Sequence, residues 1–152
     1  MGGGIGLAIG EALGSAGARV ALAARSEGEL AEAVGAVGAR GGVAREWALD
    51  ATDLEAVVRV AGEVEAAFGP VTLLVNNAGT AQAPGPLWDV DPGDWWRDLE
   101  VSVRGAFNCC RALLPGMVGR RRGRVVNIGS MVAPETSRTC RPTPAPRRPT
   151  SG

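Results

Sequence analysis

Val71-Thr-Leu-Leu-Val75 runs directly into Asn76-Asn-Ala-Gly79, with Pro70 standing before it. A short continuous apolar run, bounded by proline on one side and by turn formers on the other, reads as a strand buried on both faces. Such strands belong to parallel sheets, whose members are joined through helices. Short apolar runs recur to either side of it, Arg19-Val-Ala-Leu-Ala-Ala24 and Arg124-Val-Val-Asn-Ile128, and Gly42 to Leu49 can be a strand as well.

Helical periodicity fills the intervals. Gly6 to Ala16 places Leu7, Ala8, Ala12 and Leu13 on one face, and Gly17 fits a C-terminal cap. Ser26-Glu-Gly-Glu29 and Thr52-Asp-Leu-Glu55 both have the order of a capping box. The first opens a helix with Leu30, Val34 and Val37 on one side. The second opens one with Leu54, Val57, Val58, Ala61, Val64 and Phe68, which Pro70 stops. After a loop from Thr80 to Val90, Asp91-Pro-Gly-Asp94 supplies an N-cap and a proline at the first helical position. The helix it starts, Trp95 to Met117, carries Trp95, Leu99, Ser102, Ala106, Cys110 and Leu113 in one stripe, which predicts that Ser102 faces inward. The alternation specifies an α/β fold with a parallel sheet over residues 1–131.

Composition narrows the chemistry. The 152 residues carry 16 bases and 16 acids, so no wholesale electrostatic partner is implied. All the bases are Arg, and the chain contains no Lys, no Tyr and no His, which excludes any mechanism that needs those side chains. Cys109 and Cys110 are adjacent and Cys140 lies in a Pro-rich stretch, which is not the spacing of a secreted disulfide framework. Reduced thiols in a cytoplasmic protein are expected, and neither a signal peptide nor a membrane-spanning run is visible. From Val132 to Gly152 the apolar periodicity stops and five of the 10 prolines are concentrated, so this stretch is expected to be a disordered tail. Arg120-Arg-Arg-Gly-Arg124 reads as a solvated turn between a helix and a strand, and no nucleic-acid partner is expected from it.

Gly2-Gly-Gly-Ile-Gly6 precedes the first helix, and clustered glycines there let backbone N–H groups approach a pyrophosphate that the helix N-terminus stabilises. Taken alone the glycines are weak, because no triple matches G-x-G-x-x-G. Gly4-Ile-Gly6, Asp50, Asn76-Asn-Ala-Gly79 and Arg124-Val-Val-Asn-Ile-Gly-Ser130 nevertheless occur in the order and contexts of one family. The chain resembles the short-chain dehydrogenase/reductases, in particular members similar to 3-oxoacyl-carrier-protein reductases. The resemblance implies a Rossmann-like doubly wound parallel sheet and reversible hydride transfer between NAD(P)(H) and a carbonyl or secondary alcohol of a small molecule.

By that resemblance Gly4, Ile5 and Gly6 would line the pyrophosphate turn and Asp50 would bond the adenine. Asn76, Ala78 and Gly79 would contact the adenosine ribose and brace the sheet. Asp50 could instead merely end a strand, and the two asparagines could be plain turn formers. About 20 residues past the glycines, where an NAD site places an acid on the ribose, the chain reads Ala24-Arg25. A guanidinium pairs with a 2′-phosphate, so Arg25 favours NADP(H) over NAD(H), the alternative being a solvated Arg at a strand end. No metal site is expected.

Ser130, at a strand end, corresponds to the family's catalytic serine, and Ser102 stands where the family has an Asn. The family then needs a Tyr about a dozen residues on and a Lys four beyond it, to move the proton and to lower the phenol's pKa. Thr143 and Arg147 fall near those places and substitute for neither, since an aliphatic hydroxyl is far less acidic and Arg does not titrate usefully. An inactive chain is therefore expected, with a non-catalytic nucleotide- or partner-binding module, or a degraded gene fragment, as the alternative.

The resemblance also implies a central strand and a Thr-Gly pair ahead of Met1, between the strands ending at Ala24 and Val75. The expectation is a chain truncated at both ends, its start assigned too late and its frame changed near residues 132–140. By resemblance relatives assemble through their long helices, and Trp95 to Met117 would offer one such surface for a homo-oligomer, the next helix of that surface being missing here.

Overall fold

Gly4, extended at φ −94°, leads into helix α1 (Ile5–Ser15), and Gly17 turns the chain out of it at φ 85°, a region that disfavours side chains. The structure, a computed structural model, describes residues 4–80, 83 and 85–129. Strand β1 (Arg19–Ala24) follows, then helix α2 (Glu27–Ala39). Its cap is the predicted one, Ser26 accepting from the Glu29 N–H at 3.4 Å. Strand β2 (Val43–Ala48) leads to helix α3 (Leu54–Phe68).

The cap of α3 lies one residue beyond the expected position. Asp53, not Thr52, accepts from the Glu55 and Ala56 N–H groups, at 3.0 and 3.1 Å. Thr52 is already engaged, its hydroxyl donating to Asp50 at 2.8 Å, and a carboxylate caps as well as a hydroxyl. Strand β3 (Leu73–Asn76) precedes a helical run that Asp91 caps and Pro92 begins, as the sequence predicts. Strand β4 (Arg124–Asn127) closes the described chain.

The long helix is interrupted. It consists of α4 (Pro92–Leu99), a π-helical turn over Glu100–Arg104, and α5 (Gly105–Gly119). A stripe drawn at 3.6 residues per turn loses phase across such a turn, because one extra residue rotates everything beyond it about the axis. Ser102 lies within the turn and is exposed, which corrects the inward-facing expectation. The buried positions of α5 are Gly105, Asn108 and Met117.

All strand pairing among the described residues is parallel. Val20 lies opposite Ala44 and Ala24 opposite Ala48; Leu73 lies opposite Arg124 and Asn76 opposite Asn127. Among the described residues these pairs form two separate two-stranded sheets, β1–β2 and β3–β4, rather than one sheet of four. Among the described residues no ladder joins β1 to β3, and the halves approach each other on either side of the slot between them. A Cβ built on Gly69 would lie 3.8 Å from the Arg19 guanidinium, and one built on Gly6 would lie 2.7 Å from the Asn77 amide. This slot is where the resemblance puts its central strand.

Helices α1 and α2 pack on β1–β2, while α5 packs on β3–β4 and against α3. Val37 is wholly buried, seated on Gly10 and Gly14 of α1, where a Cβ would approach its methyls to 3.7 and 2.5 Å. Trp47 of β2 meets Phe68 of α3 edge to face at 6.0 Å. Glu65 Oε1 accepts from both the Val71 N–H and the Arg120 guanidinium at 3.2 Å, tying α3 to the start of β3 and the end of α5. The buried apolar side chains are Val20, Leu30, Val37, Val57, Val60 and Met117, each worth about 1.5–3 kcal/mol. Leu73, Leu74 and Val75 stay only half covered, although their sequence is that of a strand buried on both faces. No helix among the described residues is long and apolar enough to cross a membrane.

Candidate nucleotide site

Within each pair the parallel arrangement sends the C-terminal ends of both strands to one edge, where open α/β sheets bind ligands, and the approach of Gly6 to Asn77 brings the two edges together. Helix α1 begins there without any side-chain cap, Gly4 holding the N-cap position. An uncapped first turn leaves backbone N–H groups and the positive end of the helix dipole to meet an anion. A Cβ on Gly4 would meet nothing within 4 Å, so this turn opens to solvent, whereas Gly6 is pressed against Asn77. The Gly4–Gly6 turn and the Asn76–Gly79 loop are thereby brought together, though they lie in different halves of the molecule.

Arg25 and Asp50 leave the ends of the paired strands β1 and β2, where the Leu49 N–H donates to the Ala24 carbonyl at 2.8 Å. Asp50 Oδ1 accepts from the Thr52 N–H at 2.9 Å and from its hydroxyl at 2.8 Å. The Thr52 backbone N–H holds the Asp50 carboxyl below its ordinary value of 3.8, the hydroxyl and the nearby Arg25 and Arg97 add to this, and partial burial opposes it. The sign follows for stability: with the folded value depressed, the contribution is full above about 3.8 and is lost as pH falls through the lower folded value. Thr52→Val, which keeps the backbone bond and removes the hydroxyl, is expected to raise the Asp50 pKa toward 3.8. Carboxyl-carbon NMR titration measures this, and an unchanged value would remove the hydroxyl from the account.

Asn76 braces the other half. Its Nδ2 donates to Asn127 Oδ1 at 2.8 Å across the β3–β4 pair and lies 3.6 Å from the Cys110 sulfur on α5. Asn77, Ala78 and Gly79 remain exposed at the strand end. A Cβ on Gly79 would sit 3.8 Å from the Ser102 hydroxyl, so that exposed serine borders the same loop. Ser130 lies outside the described residues. Among the described residues no cluster of His, Cys, Asp or Glu could hold a metal ion.

A sequence model of the short chain dehydrogenases matches residues 1–140. The chain belongs to the short-chain dehydrogenase/reductase family. A short chain dehydrogenase of Pseudocercospora fijiensis (strain CIRAD86) is 44% identical over 133 residues, which is 86% of this chain and 42% of that protein. Among solved structures, NAD+-bound xylitol dehydrogenase is 34% identical with a TM-score of 0.86 over 91% of this chain and 53% of its own. A metagenomic short-chain oxidoreductase in complex with NADP is 38% identical, with a TM-score of 0.79 over 86% of this chain and 59% of that one. The chain spans about half the length of these short-chain dehydrogenase/reductases.

The fold is accordingly the Rossmann-like one of the family, in part. What is present offers a dinucleotide an uncapped helix N-terminus and, at the ends of the β1–β2 pair, a hydrogen-bonded carboxylate and a guanidinium. Two residues of this neighbourhood escaped the sequence reading. Arg97, on α4, acts on Asp50 through its charge, which helical periodicity could not reveal because it depends on how α4 docks. Asn108 sits within Ala106-Phe107-Asn108-Cys109-Cys110, and a lone amide in an apolar helical run is itself a signal of a buried bond.

Proposed function

We propose that this chain is the nucleotide-holding part of a short-chain dehydrogenase/reductase and that its ligand is NADP(H). The observation that carries the reading is the shared sheet edge, on which the uncapped α1 N-terminus, Arg25, Asp50 and the Asn76–Gly79 loop all lie. Gly4, Ile5 and Gly6 receive the pyrophosphate, Asp50 takes the adenine amine, and Ala78 and Gly79 lie along the adenosine ribose while Asn76 holds the loop to β4. Arg25 faces the 2′-phosphate. The bound cofactor supplies the hydride, and a small ketone or secondary alcohol receives or gives it in the whole enzyme; xylitol dehydrogenase, among the similar structures, is named for a polyol. Ser130 orients the substrate oxygen.

Titration of the chain with NADPH, followed by cofactor fluorescence, tests this reading, and an absence of binding overturns it. Arg25→Ser is expected to weaken NADPH roughly ten- to a hundredfold, the loss of charge-assisted bonds, while NADH changes by less than about threefold. Equal loss for both cofactors would take Arg25 away from the 2′-phosphate.

Two further points belong to this reading. The adjacent, unbridged Cys109 and Cys110 accord with a cytoplasmic protein. Val103, Phe107, Leu114 and Val118 form an exposed apolar stripe along the π turn and α5, the kind of surface through which a second copy of the chain would pack.

A further inference from the structure

Asn108 is the one buried polar side chain among the described residues, 3% exposed. Its Nδ2 donates to two consecutive backbone carbonyls, Ala51 at 2.9 Å and Thr52 at 3.1 Å. Both belong to the turn that follows β2. One helical turn earlier on α5, Gly105 touches the same turn, where a Cβ would stand 3.2 Å from that of Ala51. The turn is thus clamped from the opposite half of the molecule. The residue whose carbonyl Asn108 holds is also the residue whose N–H and hydroxyl hold Asp50 Oδ1.

We propose that Asn108 is a positioning residue: from α5 it fixes the Ala51-Thr52 peptide planes, and through Thr52 it sets the Asp50 carboxylate for the adenine end of the nucleotide. The inference rests on the cofactor reading above. An amide suits the task because one nitrogen carries two donors and can serve two adjacent carbonyls at once. Leucine of similar volume serves neither, and a buried aspartic acid, when protonated, serves one.

The alternative is that Asn108 only fastens α5 to the rest of the protein. The two are separated by titrating the full chain and its Asn108→Leu, Asn108→Asp and Asp50→Asn variants with AMP, nicotinamide mononucleotide and NADPH, at a temperature where circular dichroism shows each folded. Positioning predicts that Asn108→Leu weakens AMP and NADPH about tenfold and leaves nicotinamide mononucleotide unchanged within about twofold. It also predicts little further loss when Asn108→Leu is added to Asp50→Asn, since both act through one carboxylate.

Equal weakening of both nucleotide halves, or full additivity with Asp50→Asn, overturns the proposal. If Asn108→Leu does not fold, Asn108→Asp decides within one protein. Its AMP affinity, taken relative to the unaltered chain at each pH, rises as the pH is lowered and the new carboxyl becomes a donor, and a flat ratio overturns the proposal. If the unaltered chain binds no nucleotide at all, the cofactor reading falls by itself. The Asp50 carboxyl, followed by NMR titration, then decides the positioning: a pKa moved toward 3.8 in Asn108→Leu supports it, an unchanged one rejects it.

Discussion

Mixed with NADPH and a panel of small ketones and aldehydes, the 152-residue chain is expected to bind the cofactor and to oxidise it no faster than buffer does. Carbonyl reduction needs a proton as well as a hydride. In this family by resemblance a phenol delivers the proton and an ammonium lowers its pKa, and the chain contains neither Tyr nor Lys. A positioned general acid contributes roughly a hundred- to ten-thousandfold, so its loss alone takes turnover below detection. Ser102 does not repair it, being an exposed hydroxyl where the family places an amide. Loss of NADPH fluorescence over time is the measurement. Turnover that disappears in Ser130→Ala would overturn the expectation and show that a side chain other than Tyr delivers the proton.

The second large effect concerns the divided sheet. An extended, proline-free peptide of five or six apolar residues, added in trans, is expected to slow amide exchange in β1 and β3 by about tenfold or more. A strand entering the slot pairs with two edges at once and gains on the order of eight backbone bonds, each worth about 0.5–1.5 kcal/mol net. It also covers Leu73, Leu74 and Val75, which are half covered without it. The outer edges of β2 and β4 serve as the internal control, because a strand added there pairs on one side only. Protection confined to β2 or β4, or none at all, would show that the slot does not admit a strand.

Much of this was legible in the residues. Short apolar runs marked β1, β3 and β4 to within about two residues, whereas β2, with Arg45 and Glu46 in it, was legible only from its place between two helical segments. Ser26 and Asp91 were legible as caps for a similarly local reason, since a cap is made within four residues. The α3 cap slipped by one because Thr52 had a competing partner in Asp50, a choice between two local bonds that no periodicity reports. Ser102 was misplaced because a π turn leaves no mark on apolar spacing until its phase error is seen. Asn76 was singled out only through resemblance, and its bond to Asn127 across 51 residues of chain is one that spacing does not report. The Asn108 clamp and the charge of Arg97 depend on contacts across more than forty residues of chain, and spacing arguments stop well short of that.

The shared edge also has a thermodynamic side. Gly4, Arg25 and Asp50 belong to one hydrogen-bonded pair of strands and its helices, Asn76 to Gly79 to the other. A dinucleotide bound as proposed along that edge would touch both, and its binding free energy would then staple together halves that no backbone ladder joins among the described residues. By mass action, a ligand at a hundred times its Kd adds about 2.7 kcal/mol to the folded state. Against native stabilities of about 5–15 kcal/mol, a nucleotide bound as proposed would contribute to this molecule's cohesion as well as to its chemistry.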